Sequence, residues 1–488
     1  MSSIDAIKDL QPTGLWQRFY EMSQIPRPSK KEEKITAHFE ALFQSLGLEY
    51  TKDKIGNLIA RVPASKGHEH APVTVLQGHS DMVCEKNRGT EHDFDHDPIY
   101  LLRDGEWITA KGTTLGADNG IGVAAALAII TDPEAVHGPL EVLITVDEET
   151  GLTGANQLST KVLRGKYLLN LDSEEDGIFY IGCAGGVDTT GTYAIKTVPT
   201  PAGSAFTLRI SGLKGGHSGG DIHLGRGNAI KLLARTLQAL QPLKPAISNI
   251  EGGSKRNAIP REAEAIIVIP TDDVERANAI VAQCDRDFKN EFQTADGGVR
   301  VSLEATALPD TVYNQRLAQK LLQTLLALPH GVEQMSADIP GLVETSTNLA
   351  TVTNENGQLR IGTSQRSSVD SAKTYMAASV AAVFKLSGAK VGKSDGYPGW
   401  QPNMQSALLQ ICKKVAVAQT GKEPEIKAIH AGLECGILGG KYPDMDMISF
   451  GPTITGAHSP DERVHIPAVA VFYDLLKLVL KEIAQEKG

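Results

Sequence analysis

Three apolar runs in this chain each stop on ionisable residues. PVTVLQG, from Pro72, is followed by His79-Ser80-Asp81, LEVLITVD, from Leu140, by Glu148-Glu149, and YLLNL, from Tyr167, by Asp172. Short continuous runs of this kind are strands buried on both faces, as in parallel sheets covered by helices. The helix-like NGIGVAAALAII separates the first two, and KKEEKITAHFEALFQSLG ahead of them has helical spacing. This grammar predicts an α/β fold with a mostly parallel central sheet. In such sheets ligands bind outside the carboxyl ends of the strands, where all three runs become polar.

A chain of 488 residues exceeds what one hydrophobic core usually supports. From about Gly186 the texture changes to alternating segments such as SAFTLRISG, EAEAIIVI and GQLRIGTSQ, interleaved with amphipathic helices. That predicts an inserted α+β domain over 186–396. It follows a first catalytic segment, 1–185, and precedes a second, 397–488, which completes the first domain. GKSDGYPGWQPN reads as a hinge between them, and the closing segment carries a helix near 403–419, the strand DMDMISFG and a helix from Ala468. Two successive strand and helix sets, near 205–290 and 298–388, suggest an internal duplication without sequence identity.

With 48 basic against 58 acidic residues the net charge is −10, which repels nucleic acid and anionic membrane surfaces. The start MSSIDAIKDLQPTG lacks a basic region followed by an apolar core, and IGVAAALAII is too short to span a bilayer. Five scattered cysteines without C-x-x-C spacing suit a reducing compartment. A cytoplasmic protein with no nucleic-acid or membrane partner is expected.

At the expected sheet edge collect His79, Asp81, Glu148, Glu149 and Asp172, with His458 a few residues past MISFG and Asp118 opening the intervening helix. Taken singly each has a plain explanation: Asp118 as a helix cap, the glutamates as a solvated loop, His458 as a turn. Together, imidazoles and carboxylates make a donor set for zinc or a similar dication. Asp118, Glu149 and Asp172 crowded without cations would repel one another, and two dications plus a hydroxide bring the charge near zero. A two-metal site bridged by one carboxylate follows. Glu148 is the candidate general base, passing a proton from metal-bound water to a leaving amine. Both glutamates can serve only if the strand breaks at EETGLTG, since strand neighbours point to opposite faces. Asp81, two residues past His79, can orient that imidazole.

The pieces GHSDMV, LGADNGIGVA, TVDEETGLTGA, LNLDSEE, GGHSGGD, RNAIP and GAHSPDE, in order across nearly the whole chain, resemble the co-catalytic zinc aminoacylases, carboxypeptidases G and T, and dipeptidases. GTSQRSS and HAGLECG are most similar to the cytosolic aminoacyl-histidine dipeptidase branch. The resemblance implies a zinc-peptidase-like catalytic domain with an inserted lid. Asp118 would be the bridging ligand, with His79 and Asp172 on one zinc and Glu149 and His458 on the other, and a cis peptide would follow Asp118. It also implies His217 for the scissile carbonyl oxygen, Asn257 and Arg366 for the substrate carboxylate, and Glu434 for the free amino group. The implied activity is hydrolysis of Xaa-His and related unblocked dipeptides, β-Ala-His among them. Two Zn2+ would be bound, with Co2+ or Mn2+ as substitutes, in a homodimer. Within the family a tripeptidase, an N-acyl amino acid deacylase or a carboxypeptidase is the alternative. A more remote one is a serine hydrolase, because GHSGG also satisfies G-x-S-x-G with Ser218 as nucleophile. That pattern should feed a helix at once, whereas DIHLGRG intervenes here.

Overall fold

The computed structural model describes residues 3–486, which form two compact units. Of these, the first comprises residues 3–182, 402–428 and 433–486; the second comprises 183–401 and 429–432.

The first unit is built on an eight-stranded sheet. Its strand order is Glu49–Lys52, Leu58–Val62, Leu140–Thr145, Thr74–His79, Tyr167–Asn170, Asp446–Ser449, Ile178–Cys183 and Glu425–Ile429. The three apolar runs of the sequence are adjacent central strands, and with Asp446–Ser449 they form a parallel set of four. Every residue of Thr74–His79, Leu140–Thr145 and Tyr167–Asn170 is buried, as continuous apolar runs require. The amphipathic helix Glu33–Ser45 buries Ile35, Phe39 and Phe43. Helix Ala117–Ile129, rich in alanine and glycine, is buried nearly all round. The closing helix Ile466–Ile483 buries Phe472, Leu476 and Leu480. Parallel strands share one carboxyl edge, so His79, Glu148, Glu149 and Asp172 leave the sheet on the same side.

The second unit is an antiparallel sheet backed by helices Ala229–Leu240, Val274–Glu291, Gln315–Ala327 and Asp370–Ser387, whose apolar faces fill one continuous core with the strands. Its central order is Ser204–Ser211, Ala263–Ile269, Ala246–Gly252, then Val343–Glu355, Gln358–Ser367, Gly185–Ala194. These are two three-stranded halves of mirrored order that meet where Gly252 pairs with Val352. The halves are not successive in the chain. The outer strand of the second, Gly185–Ala194, precedes the whole first half, so tandem sets at 205–290 and 298–388 miss one strand.

The GKSDGYPGWQPN segment, expected as a hinge, contains the junction of the two units between Gln401 and Pro402, and ahead of that junction it is paired. Tyr397 and Gly186 exchange backbone hydrogen bonds of 2.9 and 3.1 Å, and Trp400 and Cys183 exchange two of 2.9 Å.

Candidate metal centre

Strand Thr74–His79 delivers His79 at its last position, 1% exposed. Gly78 before it answers a close approach: a Cβ there would lie 2.2 Å from Asn119 Oδ1. The Asn119 side chain accepts from the His79 N–H at 3.3 Å and donates to the Leu171 carbonyl at 2.7 Å. It thereby ties together the strand ends that carry His79 and Asp172. His79 Nδ1 faces Asp81, 3.2 Å from its carbonyl and 3.3 Å from its carboxylate. Nε2 is therefore turned toward Asp118 Oδ1 at 3.2 Å and Asp172 Oδ1 at 3.3 Å.

Asp81 does more than aim an imidazole. Fully buried, it accepts the backbone N–H of Glu148 at 3.0 Å and of Glu149 at 3.2 Å, and the Ser29 hydroxyl at 2.8 Å. Burial alone would raise its carboxyl, but bonds from His79, Glu148 and Ser29 hold it down at about 2.

The strand ahead of the glutamates breaks. Asp147 takes a left-handed conformation with φ 51° and ψ 49°, and Glu148–Gly151 forms a helical turn, so the two glutamates no longer alternate across a strand. Asp147 fastens the turn by accepting the hydroxyls of Thr150 and Thr153. Buried Asn57 braces it further, accepting from Val146 N at 3.1 Å and donating to the Gly154 carbonyl at 2.9 Å.

Asp118 lies in the first turn of Ala117–Ile129 with non-helical angles, φ −78° and ψ 112°, and its peptide bond to Asn119 is cis. His458, on the loop after Ile454–Thr455, has φ 63°. Its Nε2 faces Asp118 Oδ2 and Glu149 Oε2, both at 3.1 Å. Asp118 is thus shared between two groups, His79 with Asp172 and Glu149 with His458, whose donor atoms lie within 4.8 Å of one another in each group.

These spacings fit metal ions better than hydrogen bonds. A tetrahedral ion with bonds of about 2.0–2.1 Å separates its ligand atoms by roughly 3.3 Å, close to the four imidazole to carboxylate distances here. Each Nε2 carries at most one proton yet faces two carboxylates. Asp172 Oδ1 and Glu149 Oε1 are buried with no hydrogen-bond partner among the described residues, which a bound cation would remedy.

Counting the protein's own charges, burial pushes Asp172 up to about 6, and nearby carboxylates add to this against the pull of His79. Burial likewise holds Glu148 well above the usual carboxylate range, with Asp172, Glu434 and Glu149 adding and His79 opposing. Hydrogen bonds to Asp118 and Glu149 raise His458 to about 11. A carboxyl with Glu148's raised affinity for a proton, next to a cation site, is suited to accept and return one. One oxygen each of Glu148 and Glu149 and a ring nitrogen of His79 also lie within 4.8 Å of one another.

Sequence reasoning missed two groups that set this loop. Glu462, 2% exposed, accepts four backbone N–H groups, from Leu115 at 2.7 Å, Gly116 at 2.9 Å, Ala117 at 2.7 Å and Asp118 at 3.2 Å. Buried Arg27 donates to the carbonyls of Ser80 and Asp81 at 3.0 Å and of Gly116 at 2.5 Å. Glu174, two residues past Asp172, also went unread; burial and the charges of Asp118 and Asp172 raise it to about 8.

Glu434 belongs to the first unit and is 1% exposed. Its Oε2 accepts from Gln77 at 2.6 Å and Thr145 at 2.7 Å, while Oε1 has no hydrogen-bond partner among the described residues. Burial raises it to about 7.

The other sequence candidates belong to the second unit. His217 Nδ1 accepts the backbone N–H groups of Gly219 at 3.2 Å and Gly220 at 3.0 Å, so in the neutral ring the proton sits on Nε2. Burial and the Arg366 charge lower its pKa, favouring that neutral form. Asn257 is exposed, and its carbonyl accepts from Ser218 N at 2.9 Å. Arg366, 6% exposed, donates to Tyr397 Oη at 2.9 Å and to Ser218 Oγ at 3.4 Å. Ser218 Oγ therefore accepts from a guanidinium and donates to no base among the described residues, and helix Ala229–Leu240 begins well beyond it. A serine nucleophile has no support here.

A parallel sheet whose carboxyl edge carries two imidazole and carboxylate pairs around one shared aspartate defines a metallohydrolase of the two-ion class. The chain belongs to the peptidase family M20/M25/M40, whose model matches residues 75–482. It is 43% identical over 479 residues to the cytosol non-specific dipeptidase of Escherichia coli (strain K12), covering 98% of this chain and 99% of that protein. The crystal structure of aminoacylhistidine dipeptidase from Vibrio alginolyticus superposes with a TM-score of 0.91 at 42% identity, covering 97% of each chain. Aminopeptidase PepT from Bacillus cereus shares the fold, with a TM-score of 0.57 at 17% identity over 98% of this chain and all of that one.

Proposed function

We propose that the protein is a metallodipeptidase that hydrolyses Xaa-His and related unblocked dipeptides, β-Ala-His included. The observation that carries this reading is the aspartate shared by two imidazole and carboxylate pairs, with a second glutamate, Glu148, beside them. Likeness over nearly the full length to two dipeptidases supports the substrate class.

Five residues would hold two ions: Asp118 both, His79 and Asp172 one, Glu149 and His458 the other. Bound there, the ions would supply Lewis acidity to the scissile carbonyl and lower the pKa of water. The remaining work falls to the chain. Glu148 takes a proton from the attacking water and returns it to the leaving amine. Asp81 fixes His79 and the Glu148-Glu149 backbone together, so base and ligands keep one geometry. On this reading His217 donates Nε2–H to the carbonyl oxygen as charge develops. Arg366 and Asn257 take the substrate carboxylate, and the unpartnered oxygen of Glu434 supports a contact with the free amino group. Zinc is the proposed metal, with cobalt or manganese as substitutes, in a cytoplasmic homodimer. No helix among the described residues is long and apolar enough to cross a membrane.

The test is hydrolysis of β-Ala-His, Gly-His, Gly-Leu and an N-acetyl amino acid by metal-stripped protein as zinc, cobalt or manganese is titrated back and bound metal counted. Activity on the two histidine dipeptides should rise as the second ion fills. Cleavage of the acetylated substrate alone would overturn the dipeptidase assignment while leaving the metal centre standing.

A further inference from the structure

The second unit holds a buried cation without a counterion. Arg366, on strand Gln358–Ser367, is 6% exposed, yet no carboxylate among the described residues pairs with it. A buried guanidinium in that state is costly, so an anion is the missing partner. Its two side-chain contacts are both oxygens that accept: Tyr397 Oη takes a bond from Nη1 at 2.9 Å and Ser218 Oγ one from Nε at 3.4 Å. Because the tyrosine oxygen is occupied as an acceptor, its own O–H remains to be donated. No group among the described residues accepts it. A phenol O–H free of any protein acceptor among the described residues, beside an unpaired cation, suits one ligand that answers both, and a carboxylate does.

The backbone holds this phenol in place. Residue 397 pairs through both its backbone groups with Gly186, and its carbonyl also accepts from Lys373 Nζ at 2.6 Å. The hydroxyl end of the ring lies against two bare glycines. A Cβ on Gly186 would come within 2.8 Å of the ring and its oxygen, and one on Gly432 within 2.9 Å of the ring.

We propose that Tyr397 is a specificity-determining residue, donating its phenolic O–H to the same substrate carboxylate that Arg366 pairs with. This rests on the reading of Arg366 as the carboxylate partner, and it gives the Gly-Pro-rich segment a task in recognition.

The test compares Gly-His with its C-terminal amide for the wild type, Tyr397→Phe and Arg366→Lys, alongside thermal unfolding. The wild type should prefer the free acid. Losing one hydrogen bond to a charged group should lower that preference about tenfold in Tyr397→Phe. The loss should come through KM for the acid and be clearly smaller for the amide, whose uncharged carbonyl accepts the phenol more weakly, with the unfolding temperature nearly unchanged. Equal losses on acid and amide would overturn the proposal. So would an unchanged preference in Tyr397→Phe where Arg366→Lys abolishes it, and in that case the reading of Arg366 survives. A wild type indifferent to the carboxylate removes the reading of Arg366 and this proposal together.

Discussion

The two neighbouring glutamates differ in surroundings more than in position. Glu149 Oε2 faces His458 at 3.1 Å, as a ligand atom would. Glu148 is pushed up by burial and by the carboxylates around it. Adjacent side chains receive different environments because the turn after Asp147 takes both off the strand. Replacing Glu148 should therefore separate binding from turnover. Glu148→Ala is expected to retain both ions, counted by atomic absorption, and to lose on the order of 10²–10⁴ in kcat, the usual share of general acid–base catalysis. Normal rates in that variant would remove the base assignment, whereas loss of metal would make Glu148 a ligand instead.

At the scale of elements, the loop 115–118 carries the shared aspartate but is held from far away in sequence. Glu462 accepts its four N–H groups, and Arg27 draws in the carbonyls of Ser80, Asp81 and Gly116. Glu462→Ala would leave four donors without their acceptor and remove a carboxylate charge that favours the buried Arg27 cation. Metal affinity should fall about 10- to 100-fold, as for other supports of ligands. The thermal transition of the metal-free protein should drop by several degrees, and Glu462→Gln, which keeps one acceptor, should recover part of both. An unchanged affinity would mean the loop holds its shape unaided. This pair also marks where the sequence stops being readable. His79, Glu148, Glu149 and Asp172 could be grouped because apolar strand runs announce a parallel sheet, and a parallel sheet gathers strand ends at one edge. Glu462 and Arg27 act on backbone groups, and nothing in a side-chain pattern says which distant loop needs an acceptor. The same holds for Tyr397, whose Gly-Pro setting gives no sign of the strand it pairs with. The second unit's halves were obscured for a topological reason: strand Gly185–Ala194 completes a layer whose other strands come some 150 residues later.

For the molecule as a whole, the acidic cluster couples folding to pH in a direction that metal should cancel. Asp172, Glu434 and Glu174 have folded values of about 6, 7 and 8, above the usual carboxylate values of about 4. Between the unfolded and folded values the native state holds more protons than the unfolded chain, so stability falls as pH rises. His458, raised to about 11 by Asp118 and Glu149, acts in the same sense above its unfolded value of about 6.5. Asp81, held at about 2, works oppositely, but only below about pH 4, where its stabilising contribution is lost on acidification. Metal-stripped protein should therefore be most stable near pH 5 and lose stability steadily toward pH 8. Filled with two dications, the cluster is neutralised by charge instead of protons. Binding must then release protons, tighten with pH over the same window and flatten the slope. Thermal unfolding of stripped and reloaded protein across pH 5–8, with proton release followed in weakly buffered titrations, measures both effects. Parallel stability profiles for the two forms would mean that the carboxylates gathered at the sheet edge are not where the ions bind.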